Sequence, residues 1–144
     1  MSIWIVVADA GRARIFSAEG RGGELKEFSD HVHSASRLHG KDLETDAPGR
    51  SFDSAGQGRH AMGIDAGIRK QQAEAFSREL CGIVEEGHTT QQFAKLYLVA
   101  APSFLGLLRS HLGDGPKNCL VGEINKDLVS HSVAGIRKHL PDFL

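Results

Sequence analysis

The segment Gly49-Arg50-Ser51-Phe52-Asp53-Ser54-Ala55-Gly56-Gln57-Gly58-Arg59-His60-Ala61-Met62 holds the residue types closest to chemistry in this chain. Gly56 and Gly58 flank Gln57 and open backbone conformations that a side chain forbids. A glutamine on such a turn carries a donor and an acceptor in one amide. Pushed into a tight space, that amide can orient a water or a carbonyl. Arg50 and Arg59 offer forked donors that match phosphate oxygens, and His60 stands beside Arg59. A solvated glycine loop accounts for the same residues, since a single Gly-Gln-Gly is a short pattern.

Further cations lie elsewhere. Arg12 and Arg14 alternate on a strand and project together from one face. With Arg21 on the same hairpin, and Arg37, Lys41, Arg50 and Arg59 in the long loop, they would form a patch that suits phosphate. Asp42, Glu44, Asp46 and Asp53 offset the cations of that loop, so a solvated mixed-charge surface is the plainer alternative. His31 and His33 are two apart and would share a strand face. With Asp30, His39, Asp53, His60 or Asp65 they would make a metal site or an acid–base pair. Their spacing matches no zinc motif, and surface or turn histidines are the commoner explanation. Asp9 and Glu123 are the carboxylates that a two-metal nuclease would need on central strands. Asp9 also suits a turn with Gly11, and Glu123 a solvent-facing site. Cys81 and Cys119 make neither a disulfide framework nor a thiolate metal site, and read as packing residues. The expectation is no metal and no cofactor.

Positioning these residues requires a scaffold, and the apolar pattern supplies one. The run 3–8 is continuously apolar and suits a strand buried on both faces. Asp9-Ala10-Gly11 is a turn, 12–17 a return strand, and 25–32 a third strand. Residues 34–65 show no period of 2 or 3.6 and carry Gly40, Pro48, Gly49, Gly56, Gly58 and Gly63. They read as a long flexible loop, about twice the ~12–15 residues usual for a loop in a compact domain. Ile68, Gln72, Phe76, Leu80 and Ile83 line one face of a helix over 67–87, with Asp65 as its N-cap. A strand over 94–101 follows. Pro102 then opens a helix to 112, Gly113-Asp114-Gly115-Pro116 is a turn, 118–125 a fifth strand and 130–140 a last helix. The order βββ–loop–αβαβα predicts a single α/β domain over 1–144. Its mixed five-stranded sheet would run 3-2-1-4-5 in ribonuclease-H-like fashion.

Composition narrows the function classes. The 144 residues carry 17 Lys+Arg against 18 Asp+Glu, so no strongly basic nucleic-acid footprint exists. No apolar run approaches the ~20 residues that cross a bilayer. The start of the chain meets charge too early for a signal peptide. The expectation is a cytoplasmic protein with no membrane partner and no adhesin role. Neither substrate nor oligomeric state has a signature in the residues.

Four stretches carry a family resemblance: Trp4 to Phe16, Asp53 to Met62, Leu98-Val99-Ala100-Ala101-Pro102-Ser103-Phe104-Leu105-Gly106, and Gly122-Glu123-Ile124-Asn125-Lys126-Asp127-Leu128. On these the chain resembles the bacterial host-attachment protein family. That family is in turn similar to the middle domain of archaeal and eukaryotic peptide-chain release factors. The release-factor domain carries a Gly-Gly-Gln loop ahead of a long helix, and its glutamine helps water cleave the peptidyl-tRNA ester. The resemblance implies Gln57 as the catalytic residue, with Gly56 and Gly58 setting the loop geometry. It implies the ribosome or tRNA as partner, with Arg12, Arg14, Arg50, Arg59 and His60 on the RNA. Ala55 breaks the double glycine, and an extra glycine follows at Gly58. A chain of this length holds only the middle domain, so the expectation is ribosome rescue or regulation and not stop-codon reading. Two alternatives stand beside it: a non-catalytic cytoplasmic interaction protein that affects attachment to host cells, and a metal-dependent hydrolase.

Overall fold

The apolar run forms β1, Ser2–Ala8, with Ile3 through Ala8 all buried. Such a strand needs neighbours on both edges and cover on both faces. β2 (Arg12–Glu19) pairs with it antiparallel, and β4 (Lys95–Ala100) pairs with it parallel. β3 (Lys26–Val32) lies outside β2, and β5 (Leu120–Ile124) lies outside β4. The sheet is therefore five-stranded and mixed, in the order β3-β2-β1-β4-β5, as expected. This arrangement is consistent with the ribonuclease-H-like topology. The computed structural model describes residues 2–19, 24–33 and 54–141, with the backbone alone described over 54–66.

Alternate residues of β1 enter two different cores, because side chains on a strand point to opposite faces in turn. Trp4, Val6 and Ala8 meet Phe76, Leu80 and Val84 of helix α1 (Ser54–Thr89), and Phe104 and Leu108 of helix α2 (Pro102–His111). Ile3, Ile5 and Val7 face the other way. They are covered by Leu128, Val129, Ile136 and Leu140, around the short helix α4 (Val133–Lys138). The Ser132 hydroxyl caps α4 by accepting the Gly135 N–H at 3.1 Å. Pro102 sits in the first turn of α2, as expected, where a missing N–H costs nothing.

Helix α1 lies very close to the sheet at one point. A Cβ on Gly87 would stand 2.4 Å from the indole of Trp4, so only glycine fits there. The indole is itself wedged against Phe93, with ring centroids 4.8 Å apart. It cannot move aside without opening the core.

Three boundaries differ from expectation. α1 starts at Ser54, so residues 54–65 of the expected loop are helical, and Asp65 lies inside the helix instead of capping it. Each glycine costs a helix about 1 kcal/mol relative to alanine, which is why the pattern reads as loop. The anchored half of α1 supplies the nucleus, and propagation from an existing nucleus is far easier than initiation. The remainder of the expected loop, 34–53, lies outside the described residues. Next, Asp114–Cys119 forms a short helix, α3, where a turn was expected. Pro116 is tolerated because it falls in the first turn. Cys119 therefore ends a helix instead of starting a strand, and β5 begins at Leu120. Last, the final helix covers only Val133–Lys138.

The Gly87 contact gives opposite outcomes for two glycines of one helix. Gly87→Ala should destabilise the protein by about 1–3 kcal/mol through overpacking against Trp4. A Cβ on Gly82 would meet no neighbouring side chain or other element within 4 Å, so Gly82→Ala should stabilise by up to about 1 kcal/mol. Urea unfolding midpoints check both, and equal shifts in one direction would contradict the close approach.

Candidate functional site

Gly56, Gln57 and Gly58 lie in the N-terminal turns of α1. The first wholly buried side chain described on α1 is Phe76. At 1.5 Å per residue, Gln57 stands about 28 Å along the helix from Phe76. Arg59 and His60 belong to the same helical stretch. Arg50 and Phe52 lie outside the described residues.

The first hairpin is built by Asp9. Its carboxylate Oδ1 accepts the Gly11 N–H at 2.8 Å and the Arg12 N–H at 2.7 Å, closing the turn. This is the turn role expected for Asp9. Glu123, on β5, accepts from Arg109 Nε at 3.0 Å and from Arg109 Nη2. With β4 between β1 and β5, the two carboxylates belong to strands about 10 Å apart. Among the described residues no three His, Cys, Asp or Glu side chains are grouped to hold a metal ion.

Arg12 and Arg14 do share a strand, but both are engaged. Arg12 forms a forked pair with Asp30, Nε to Oδ1 at 3.1 Å and Nη2 to Oδ2 at 2.8 Å. These hydrogen bonds hold the Asp30 carboxyl below its ordinary range. Arg14 Nε donates to Glu27 Oε1 at 2.5 Å, and Arg14 Nη1 donates to the carbonyls of Val129 at 3.0 Å and His131 at 2.6 Å. The same guanidinium lies 5.1 Å from the Phe16 ring centroid. Arg14 thus fastens the segment before α4 onto the sheet. Of the loop cations expected to join Arg12 and Arg14, Arg37, Lys41 and Arg50 lie outside the described residues, and only the backbone of Arg59 is described.

The two candidate histidines have separate surroundings. His31 Nε2 is hydrogen-bonded to the Ser29 hydroxyl at 2.5 Å. His33 lies just past β3, its N–H donating to Gly11 O at 2.9 Å and its ring 5.2 Å from Phe76. His33 Nδ1 is 3.7 Å from Glu79 Oε2. Burial pushes the Cys81 thiol up to about 11, and its Sγ donates to the Leu108 carbonyl at 3.4 Å. Cys81 is therefore a packing residue with little thiolate at neutral pH. His39 and Asp53 lie outside the described residues.

The two arginines of β2 should behave differently on removal. Arg14→Met loses hydrogen bonds to a carboxylate and two carbonyls, and should cost about 2 kcal/mol or more. Arg12→Ala breaks an exposed pair and should cost under about 1 kcal/mol. The Asp30 contribution is complete above its unfolded value of about 4 and is lost as pH falls through its lowered folded value. Urea unfolding of wild type and Arg12→Ala between about pH 2 and 6 checks this. The variant should lack that part of the acid limb, and identical acid limbs would contradict the pairing.

Among curated proteins none matches the chain. The crystal structure of an archaeal translation termination factor is similar at 10% identity with a TM-score of 0.48, over 85% of this chain. The chain spans 29% of that factor's length. No helix among the described residues is long and apolar enough to cross a membrane. A family model described as "Protein required for attachment to host cells" matches residues 4–140, from β1 through α4 to Leu140, and the chain belongs to that family.

Proposed function

We propose that this host-attachment family member is an RNA- or ribosome-associated domain of the cytoplasm, and that it presents Gln57 to its partner from the N-terminal turns of α1. One observation carries this reading. Gly56-Gln57-Gly58 lies in the first turns of a helix of 36 residues whose first fully buried described side chain is Phe76. The motif stands at the start of a long, anchored helix, inside its first turns, where the release-factor resemblance implies a loop ahead of it.

The reaction open to this arrangement is ester hydrolysis on peptidyl-tRNA. A water oxygen bonds to the ester carbonyl carbon, and the bond from that carbon to the ribose oxygen breaks. One proton of the water passes to the ribose oxygen and restores its hydroxyl, and the peptide leaves as its carboxylic acid. The Gln57 amide would orient the water or the developing oxyanion, a role that removes about a hundredfold or more in rate when the group is lost. Glycines on either side let the backbone approach RNA closely. Arg59 and His60 follow Gln57 on the same element and would meet the phosphates.

A second reading, a non-catalytic interaction protein, is favoured by the charge pairing on the body. Arg12, Arg14 and Arg109 are each engaged by an acidic side chain. Those groups build the scaffold and leave chemistry to α1 or to none.

Co-sedimentation with ribosomes at low and high salt separates the two. Alanine is the best helix former, so Gln57→Ala keeps α1. Wild type and variant should both co-migrate at low salt and dissociate at high salt, since phosphate contacts release counterions. Only the wild type should then release peptide from peptidyl-tRNA. Absence of co-migration at low salt would overturn ribosome association, and equal hydrolysis by both proteins would remove Gln57 from the reaction.

A further inference from the structure

The adjacent parallel strands β1 and β4 end side by side at Ala8 and Ala100. The chain then leaves them in opposite directions. From β1 it turns through Asp9-Ala10-Gly11 back into β2. From β4 it passes Ala101 into α2 and on to β5 at the other side. Diverging connections at neighbouring parallel ends open a crevice, and this is where α/β sheets receive ligands.

A cavity of about 400 Å³ lies at this point, between the hairpin turn, α1 and the first turn of α2. That volume falls within the range of small-molecule sites. Ala10, Ala73, Phe104 and Leu107 give it an apolar wall, while Arg69, Lys70 and Ser103 supply polar groups. Arg69 and Lys70 are exposed, and neither forms an ion pair or side-chain hydrogen bond with the described residues. They differ in this from Arg12, Arg14 and Arg109, which are each held by an acid. Ala101 gives α2 no side-chain cap, and Pro102 has no N–H. The N–H groups of Ser103 and Phe104 therefore open the helix without a side-chain acceptor.

We propose that this crevice binds a nucleoside monophosphate, its flat part against Phe104 and Leu107 and its phosphate between Arg69, Lys70 and the first turn of α2. An inorganic anion alone would leave the apolar wall wet. An uncharged apolar ligand would leave the two cations unused. Both halves of the cavity are satisfied by a ligand that joins a phosphate to an aromatic ring. The site goes beyond the Gln57 reading and uses none of its residues.

Calorimetric titration of the whole chain tests this, with adenosine 5′-monophosphate, adenosine and inorganic phosphate as probes. The monophosphate should bind saturably, and each half-ligand at least about tenfold more weakly. Arg69→Gln/Lys70→Gln should weaken the monophosphate at least about tenfold without loss of fold, because both side chains are exposed. Ala73→Leu, which fills the cavity, should abolish binding. A 5′-phosphorylated RNA oligomer that competes with the monophosphate would mark an RNA end as the natural source; saturable binding without competition would mark the free nucleotide. Three results would each overturn the proposal: no saturable binding of the monophosphate, unchanged affinity in the Arg69/Lys70 variant, or inorganic phosphate binding as tightly as the monophosphate.

Discussion

β1 pairs with strands of opposite sense on its two edges and sends alternate side chains into two cores. Losing its register would slip Trp4, Val6 and Ala8 out of one core and Ile3, Ile5 and Val7 out of the other together, because the side-chain period of a strand is two. The same register sets where β1 and β4 end. It thereby sets where the hairpin turn, α1 and α2 meet. The scaffold and the cavity at its C-terminal edge have one cause.

Helix α1 links that scaffold to Gln57. Its C-terminal part is pinned where Gly87 lies on Trp4, and its middle is pinned where Phe76 packs between His33 and Phe104. A helix fixed at these places transmits position along its axis, so residues at its start inherit a direction from the sheet. The second face depends on a thinner device. Arg14 holds the carbonyls of Val129 and His131, and the Ser132 cap then starts α4 over that core.

Much of this is legible in the residues, and the failures have physical causes. The run 3–8 has one natural place in an α/β domain, so the central strand and the sheet order follow from it. Asp9 reads correctly as a turn residue because an Asx turn is a local structure. The start of α1 does not read, because the propensity of Gly56, Gly58 and Gly63 opposes a helix, while the support described for α1 comes from residues later in the chain such as Phe76 and Leu80. α3 does not read, because Gly113-Asp114-Gly115-Pro116 suits a turn and a helix start equally. The spacing of Arg12 and Arg14 shows that they project together, while their partners depend on strand pairing. The β2–β3 register, with its shift between Ile15 and Phe16, sets Arg14 opposite Asp30 and Phe16 opposite Glu27, near enough for Arg14 to reach Glu27. Val129 and His131 come from the far end of the chain. Arg69 and Lys70 carry no motif, and the stretch that holds Ser103 does not point to them, since the cavity that unites the three arises from the order of the strands.

The proposal for Gln57 rests on one surface, the N-terminal turns of α1. Site-specific photocrosslinking from position 57 in living cells tests it most directly, with the exposed Val121 on β5 as the control position. A diazirine side chain at position 57 should capture RNA, and one at Val121 should not. Crosslinks from position 57 to protein alone would contradict an RNA-facing Gln57 and leave the interaction reading in its place.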